Sequence, residues 1–130
     1  MKYSESLKKN KDFQYIYRKG KSYANKYLVM YVLENQTEGN RLGISVSKKV
    51  GNSVVRHRVT RLIRESYRLN ERSFRQGLDI VVVARPNAKD RTYQEIESAL
   101  MHLAGRMKIR REAEVHSEES ENGSGQAGEQ

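Results

Sequence analysis

Residues 41–70 constrain the fold of this chain more than any other segment, and they read RLGISVSKKVGNSVVRHRVTRLIRESYRLN. Apolar residues alternate with small ones at Leu42, Ile44 and Val46, which predicts a half-buried strand over residues 41–48. Gly51 interrupts that pattern, and Asn52 or Ser53 then offers a side-chain cap for a helix. The segment is therefore predicted to form a strand, a turn and a helix in succession.

The predicted helix is amphipathic, and its outer face is almost uniformly basic. At about 100° per residue, its inner face collects Val55, Val59, Leu62, Ser66 and Leu69. The opposite face collects His57, Arg61, Arg64 and Arg68. Arg56 and Arg58 flank these faces, and Lys48 and Lys49 precede the helix. A solvated outer face normally mixes charge signs, whereas here only Glu65 dilutes the positive charge, so the pattern favours contact with phosphates.

Charge is unevenly distributed along the chain. Residues 112–130 hold six of the sixteen acids and no Lys or Arg, which leaves residues 1–111 with a net charge of +15. A domain this basic repels itself unless its partner is a polyanion. The chain is thus predicted to have a nucleic-acid-binding domain over residues 1–111 and a disordered acidic tail over residues 112–130. The tail either folds back as a weak electrostatic brake or, as the composition favours, stays solvated without a role.

Other classes of protein are disfavoured by what the sequence lacks. With no Cys there are no disulfides or thiolate metal sites, and no apolar run is long enough for a membrane span. The first residues lack the apolar core of a signal peptide, so a cytoplasmic location is expected, with no membrane and no small-molecule substrate as partner. A protein nuclease needs clustered carboxylates or a His pair, but the acids are scattered and His57, His102 and His116 are far apart in sequence.

The remaining segments predict an α+β fold. A short helix is expected from Asn10, as N-cap, to Lys19, with Gly20 as its stop. Further strands are expected over residues 21–25, 27–33 and 79–84, and a final helix over residues 92–107, begun by a capping box of Thr92 and Glu95. The order is α-β-β-β-α-β-α, with helices packed on a small mixed central sheet.

Aromatic residues supply a second candidate site. Phe13 and Tyr17 lie one helical turn apart, and Tyr31 lies on the central strand. Rings of this kind stack on nucleic-acid bases regardless of base sequence. The alternative is that the three rings belong to the core, and for Phe13 in particular that is the usual fate. The tyrosine hydroxyls tolerate a wet edge, which makes a groove more plausible.

The segment SVSKKVGNSVVRHRVTRLIRE resembles the signature of the bacterial ribonuclease P protein subunit, whose central motif is commonly written Arg-Asn-Arg. The resemblance extends over about residues 8–107, through KNKDFQYIYRKGKSYANKYLVMYV and DIVVVARP. His57 stands where the motif more often has Asn, and Thr60 where Lys is common. His57 still offers hydrogen bonds or a charge near phosphate, whereas Thr60 removes one possible phosphate contact.

The resemblance implies a fold like the second domain of ribosomal protein S5, with a left-handed β-α-β crossover. It implies a subunit of an endoribonuclease whose catalytic RNA, using Mg²⁺, removes the 5′ leader of precursor tRNA. The ions would be bound mainly by the RNA, with none bound by the protein alone and no catalytic residue in this chain. The implied contacts with RNA are Lys48, Lys49, Asn52, Arg56, His57, Arg58, Arg61, Arg64 and Arg68. The implied lining of a leader groove is Phe13, Tyr17 and Tyr31. A ribosomal-type protein or an RNA chaperone remains the alternative that explains the charge but not the signature.

Overall fold

One mixed sheet organises the part of the chain that the computed structural model describes, which is residue 1 and residues 3–111. Its elements are β1 (Ser4–Ser6), α1 (Asn10–Lys19), β2 (Lys21–Ala24), β3 (Leu28–Glu34), β4 (Asn40–Ser45), α2 (Ser53–Leu69), β5 (Leu78–Ala84) and α3 (Tyr93–Arg106). The α+β class and the predicted order are confirmed, with β1 as an addition. Strand β1 is short and polar, so it lacks the alternation of apolar residues from which a strand is predicted. The predicted acidic tail, residues 112–130, lies outside the described residues.

The strand order across the sheet is β1-β4-β5-β3-β2. Strands β1, β4 and β5 run parallel to one another, whereas β3 is antiparallel to β5 and β2 is antiparallel to β3. Because β4 and β5 are parallel neighbours joined through α2, the sequence 40–84 forms a β-α-β crossover. The basic helix is therefore attached to the two strands at the middle of the sheet.

The helices lie on opposite faces of the sheet. Helices α2 and α3 cover one face with the larger core, whose fully buried members include Leu28, Met30, Ile80 and Leu100. Helix α1 covers part of the other face with a smaller core of Leu7, Ile16 and Val81. The second face is thus only partly covered, which leaves room for a groove beside α1.

Helix α2 is rotated relative to the predicted inner stripe. Its buried residues are Val59, Ile63, Ser66 and Tyr67, whereas Leu69, predicted to be buried, is 58% exposed. The rotation arises because α2 packs on α3 as well as on the sheet, so its buried arc turns towards Ile63 and Tyr67. The Tyr67 hydroxyl is held by Ser4 Oγ at 2.7 Å and by Asn40 Nδ2 at 3.3 Å.

The predicted caps and boundaries are mostly confirmed. Asn52 caps α2, with its Oδ1 accepting from the Val55 amide at 3.0 Å, and Thr92 and Glu95 form the capping box of α3. Asn10 is wrong as an N-cap, because Lys9 occupies that position and makes no side-chain cap. Gly20 ends α1 as predicted. A Cβ at this position would come within 2.8 Å of the Ile16 carbonyl oxygen, so a larger residue would not fit without a shift.

Strand β4 ends earlier than predicted, at Ser45 instead of residue 48. Its pairing with β5 stops at the pair of Ser45 and Val83. The chain then turns, with the Val50 amide donating to the Ser47 carbonyl at 3.1 Å, and Val50 is buried at 2% exposure. Burial of Val50 draws the chain away from the sheet, so Lys48 and Lys49 lie on an exposed turn.

Candidate nucleic-acid interface

The outer face of α2 and the turn before it form a basic surface. Seven of the nine predicted RNA contacts are exposed there: Lys48, Lys49, Asn52, His57, Arg61, Arg64 and Arg68. Arg56 and Arg58 are half-buried. The structure therefore places the predicted set on one helix and its entry turn, but it divides the set into exposed side chains and two that are partly enclosed.

The arginines of α2 differ in whether their guanidinium groups are already bound by other residues of the protein. Arg68 forms a bidentate pair with Glu65, at 2.7 and 3.1 Å, and this hydrogen bonding lowers the pKa of the Glu65 carboxyl. Arg58 donates from Nη2 to the Arg91 carbonyl at 2.8 Å. Within the described part of the chain, Arg61 and Arg64 make no ion pair. These two guanidinium groups are consequently the most available for an external anion.

The N-terminal end of α2 adds positive potential to this surface. Its first turn contains no acid, so the positive end of the helix dipole is not neutralised locally. Gly51 lets the preceding turn approach the helix, because a Cβ there would lie 2.7 Å from Val55 Cγ1. Lys48 and Lys49 are thereby brought close to the start of the helix. Val54, which sequence reasoning did not select, is 76% exposed on the same outer face.

Arg41 does not contribute to this basic surface, although it belongs to the basic segment of the sequence. Its guanidinium group binds the Asp79 carboxylate through Nε at 2.9 Å and Nη2 at 2.6 Å, and Nη1 lies 3.6 Å from Asp12 of α1. Burial raises the pKa of Asp79, but hydrogen bonds from Arg41 and Asn35 outweigh it and hold that pKa below its ordinary value. Arg41 therefore ties α1 to the sheet.

The three predicted groove residues meet beside α1. The rings of Tyr17 and Tyr31 lie 4.9 Å apart in an edge-on arrangement, and those of Phe13 and Tyr17 lie 6.3 Å apart. All three are half-buried and pack on the smaller core. Phe13 lies against Gly43, where a Cβ would come within 2.7 Å of the ring. The rings are thus partly core and partly accessible, and their contact with nucleic-acid bases stays a prediction.

The floor of this groove is supplied by strand residues that the sequence analysis did not select. Ser45 of β4 pairs with Val83 of β5, and Val83 pairs with Val29 of β3, so the three share one face. Each is half-buried, on the face that carries Tyr31 and α1. Strand alternation alone places Val29 beside Tyr31, but the cross-strand register was needed to add Ser45 and Val83.

The groove and the basic surface lie on different faces of the sheet but meet at the end of β4. Ser45 forms part of the groove floor, and Lys48 follows it by only three residues on the exposed turn that leads to α2. The aromatic residues beside α1 and the basic surface of α2 are therefore joined through the short segment 45–52.

Neither a metal centre nor a membrane span is found in the described part of the chain. Among residue 1 and residues 3–111, no three His, Asp or Glu side chains are grouped so as to hold an ion. No helix within those residues has the length and apolar character needed to cross a membrane.

Comparisons with known proteins give a consistent result. The family model described as Ribonuclease P matches residues 1–108. A ribonuclease P protein component from Lachnoclostridium phytofermentans is 66% identical over 106 residues, covering 82% of this chain and 91% of that protein. One from Alkaliphilus metalliredigens is 58% identical over 109 residues, covering 84% and 98%.

Solved structures agree with the sequence matches. The RNase P protein of Staphylococcus aureus superposes with a TM-score of 0.76 at 43% identity, covering 82% of this chain and 97% of that one. The RNase P protein from Thermotoga maritima superposes with a TM-score of 0.73 at 32% identity, covering 78% and 96%.

Proposed function

The chain belongs to the ribonuclease P protein family, and on that premise we propose that it is the protein subunit of a ribonuclease P holoenzyme. In this proposal it binds a catalytic RNA and the 5′ leader of precursor tRNA, and it promotes Mg²⁺-dependent removal of the leader. The observation that carries the proposal is the junction at β4, where an aromatic groove meets a helix whose Arg61 and Arg64 have no ion pair among the described residues.

The protein's part in the reaction is to bind and to position RNA. Arg61 and Arg64 would contact backbone phosphates of the catalytic RNA, with Lys48 and Lys49 contributing charge at the entry turn. The rings beside α1 would stack on bases of the single-stranded leader, since stacking needs no defined base sequence. In this proposal Mg²⁺ would be held mainly by the RNA and would supply charge stabilisation at the scissile phosphate.

Precursor-tRNA cleavage at low Mg²⁺ concentration tests this function directly. A bacterial ribonuclease P RNA is incubated with precursor tRNA, with and without the full chain, and mature 5′ ends are mapped on a gel. We expect efficient cleavage only when RNA and protein are both present, because the protein's cations screen the phosphates that Mg²⁺ otherwise must screen.

Two other outcomes would each contradict the proposal. Cleavage by the protein without the RNA would identify a nuclease in its own right. Tight binding to the RNA without any gain in cleavage would favour a ribosomal-type protein or an RNA chaperone. Raising the Mg²⁺ concentration provides the internal control, since the benefit of the protein should then diminish.

Replacing Tyr31 with Ala tests the leader groove. We expect the variant's holoenzyme to bind precursor tRNA about tenfold more weakly, since one stacked base contributes roughly 1–3 kcal/mol, while its affinity for mature tRNA stays unchanged. Fluorescence anisotropy with the two labelled tRNAs gives both affinities. The matched control is Tyr15→Ala, which removes a tyrosine of α1 that is 49% exposed and outside the groove. Equal weakening for precursor and mature tRNA would place Tyr31 in the core alone.

A further inference from the structure

The last described residues are fixed beside the C-terminal end of α2. The Arg75 amide donates to the Ile109 carbonyl at 2.7 Å, and the Arg111 amide donates to the Ser73 carbonyl at 2.6 Å. Between them, Phe74 and Arg110 form an antiparallel bridge, and Ile109 is buried at 2% exposure. Arg111 therefore lies at a defined place, next to the segment that follows α2.

That place is strongly basic. We define the C-terminal arginine patch as the side chains of Arg68, Arg72 and Arg111, which line clefts together with Tyr3. Arg72 lies over the Tyr3 ring at 5.5 Å and donates to its hydroxyl at 3.0 Å. Tyr3 also lines two shallow clefts, one with Arg68 and Arg72 in its wall and the other with Arg72 and Arg111. The patch is thus an open surface with several guanidinium groups around one aromatic ring.

The acids near the patch leave much of its charge uncompensated. Glu65 is engaged with Arg68, and the carboxylate of Glu71 is buried and accepts from the Tyr3 amide at 2.9 Å. Among the described residues, Arg72 and Arg111 form no ion pair. The guanidinium groups of the patch that lack an ion pair can therefore bind carboxylates or phosphates.

The chain itself supplies carboxylates at this position. Residues 112–130 carry six Glu and no Lys or Arg, and they lie beyond the matched family region. At about 3.3–3.6 Å per residue, Glu112 and Glu114 can extend no more than roughly 12 Å from Arg111. The group formed by Glu118, Glu119 and Glu121 can reach roughly 35 Å, which spans the whole patch. Tethering at Arg111 keeps these carboxylates at an effective concentration in the mM range.

We propose that residues 112–130 dock through their glutamates on the C-terminal arginine patch and compete there with RNA phosphates. Arg68 belongs both to this patch and to the proposed RNA-binding face of α2, so the segment and an RNA cannot both occupy it. Each carboxylate–guanidinium contact is weak at an exposed site. RNA that engages the rest of α2 and the groove therefore displaces the segment, whereas RNA that binds by charge alone is disfavoured.

Docking is tested first without RNA. The six glutamates of residues 112–130 are replaced by Gln in the full chain, and backbone amide shifts of the variant and the original are compared by NMR at about 50 mM salt. We expect shift differences at residues 68–76 and 108–111. They should vanish near 1 M salt, because the Debye length is then only roughly 3 Å. Differences confined to residues that adjoin the substitutions would overturn the proposal.

Competition is tested with a 20-nucleotide oligouridylate, which offers phosphates but no specific fold. We expect the six-Gln variant to bind it about three- to tenfold more tightly than the original chain at 50 mM salt. The gain should shrink to less than twofold when Arg72→Gln and Arg111→Gln are also present. The control pair Lys26→Gln and Lys89→Gln removes the same charge from two exposed positions elsewhere and should leave the gain intact.

These two tests separate this proposal from the proposed function. An equal gain in the patch variant and in the control would mean that the acidic segment acts by net charge without docking, which contradicts the proposal. Absence of any gain would contradict the competition. Neither result depends on precursor-tRNA cleavage, so the ribonuclease P assignment can fail or stand independently.

Discussion

Replacing Arg41 with Met is expected to lower the free energy of unfolding by about 2–3 kcal/mol. The change leaves the Asp79 carboxylate, whose side chain is only 6% exposed, with Asn35 as its remaining side-chain partner. Breaking a fully buried pair costs roughly 3–5 kcal/mol, and the expected loss is smaller because the Arg41 side chain is itself 39% exposed. Urea denaturation at pH 7 measures the loss, with Arg18→Met on the exposed side of α1 as the matched control.

The pH dependence of this loss follows from the lowered pKa of Asp79. A carboxyl with a lowered folded-state pKa stabilises the protein above its unfolded-state pKa, and that stabilisation disappears as pH falls through the folded-state pKa. The difference between the original chain and Arg41→Met should therefore be full at pH 7 and decline below about pH 4. A difference that stays constant from pH 7 to pH 3 would show that Arg41 stabilises the fold through packing instead of charge.

Replacing Arg61 and Arg64 together with Ala is expected to weaken binding of ribonuclease P RNA by about tenfold or more at 0.1 M salt. If about five cations contact single-strand phosphates, the logarithm of the binding constant should fall against the logarithm of salt concentration with a slope near −3.5. The double variant should flatten this slope by roughly one unit or more. Filter binding across a salt series gives both quantities.

The control for this prediction is the double variant Lys26→Ala and Lys89→Ala, whose positions are exposed and distant in sequence from α2. It removes the same net charge, so any general electrostatic effect appears in both variants. An unchanged salt slope in the Arg61 and Arg64 variant, with folding intact by circular dichroism, would mean that the outer face of α2 is not the contact surface.

Local patterns in the sequence predicted the helices and their caps well. Asn52 and the Thr92–Glu95 box act within one helical turn, so their geometry depends little on the rest of the chain. The meeting of Phe13 with Tyr17 likewise follows from helical spacing. The errors occur where contacts between distant segments determine the structure. Tyr67 is buried where it contacts Ser4 and Asn40, and β1 forms only because it pairs with β4.

In the candidate site too, local features could be predicted from the sequence, whereas contacts between distant residues could not. The charge of the outer face of α2 was readable from the sequence, but the engagement of each arginine was not. Arg41 is tied to Asp79, which lies 38 residues later in the chain, and Arg58 is held by the carbonyl of Arg91. The groove floor at Ser45 and Val83 likewise required the cross-strand register. Side-chain partners that are distant in sequence cannot be inferred from periodicity.

The position of β5 has a consequence for the order in which the protein can assemble. In the sheet, β5 lies between β4 and β3, yet among the strands of residues 3–111 it is the last to be synthesised. A nascent chain that ends before Leu78 can form the β2–β3 hairpin and the β1–β4 pair only as two separate pieces. Each piece then exposes an unpaired edge, which is a site for aggregation. Insertion of β5 joins the halves, so the groove and the basic helix acquire their fixed relation in that single late step.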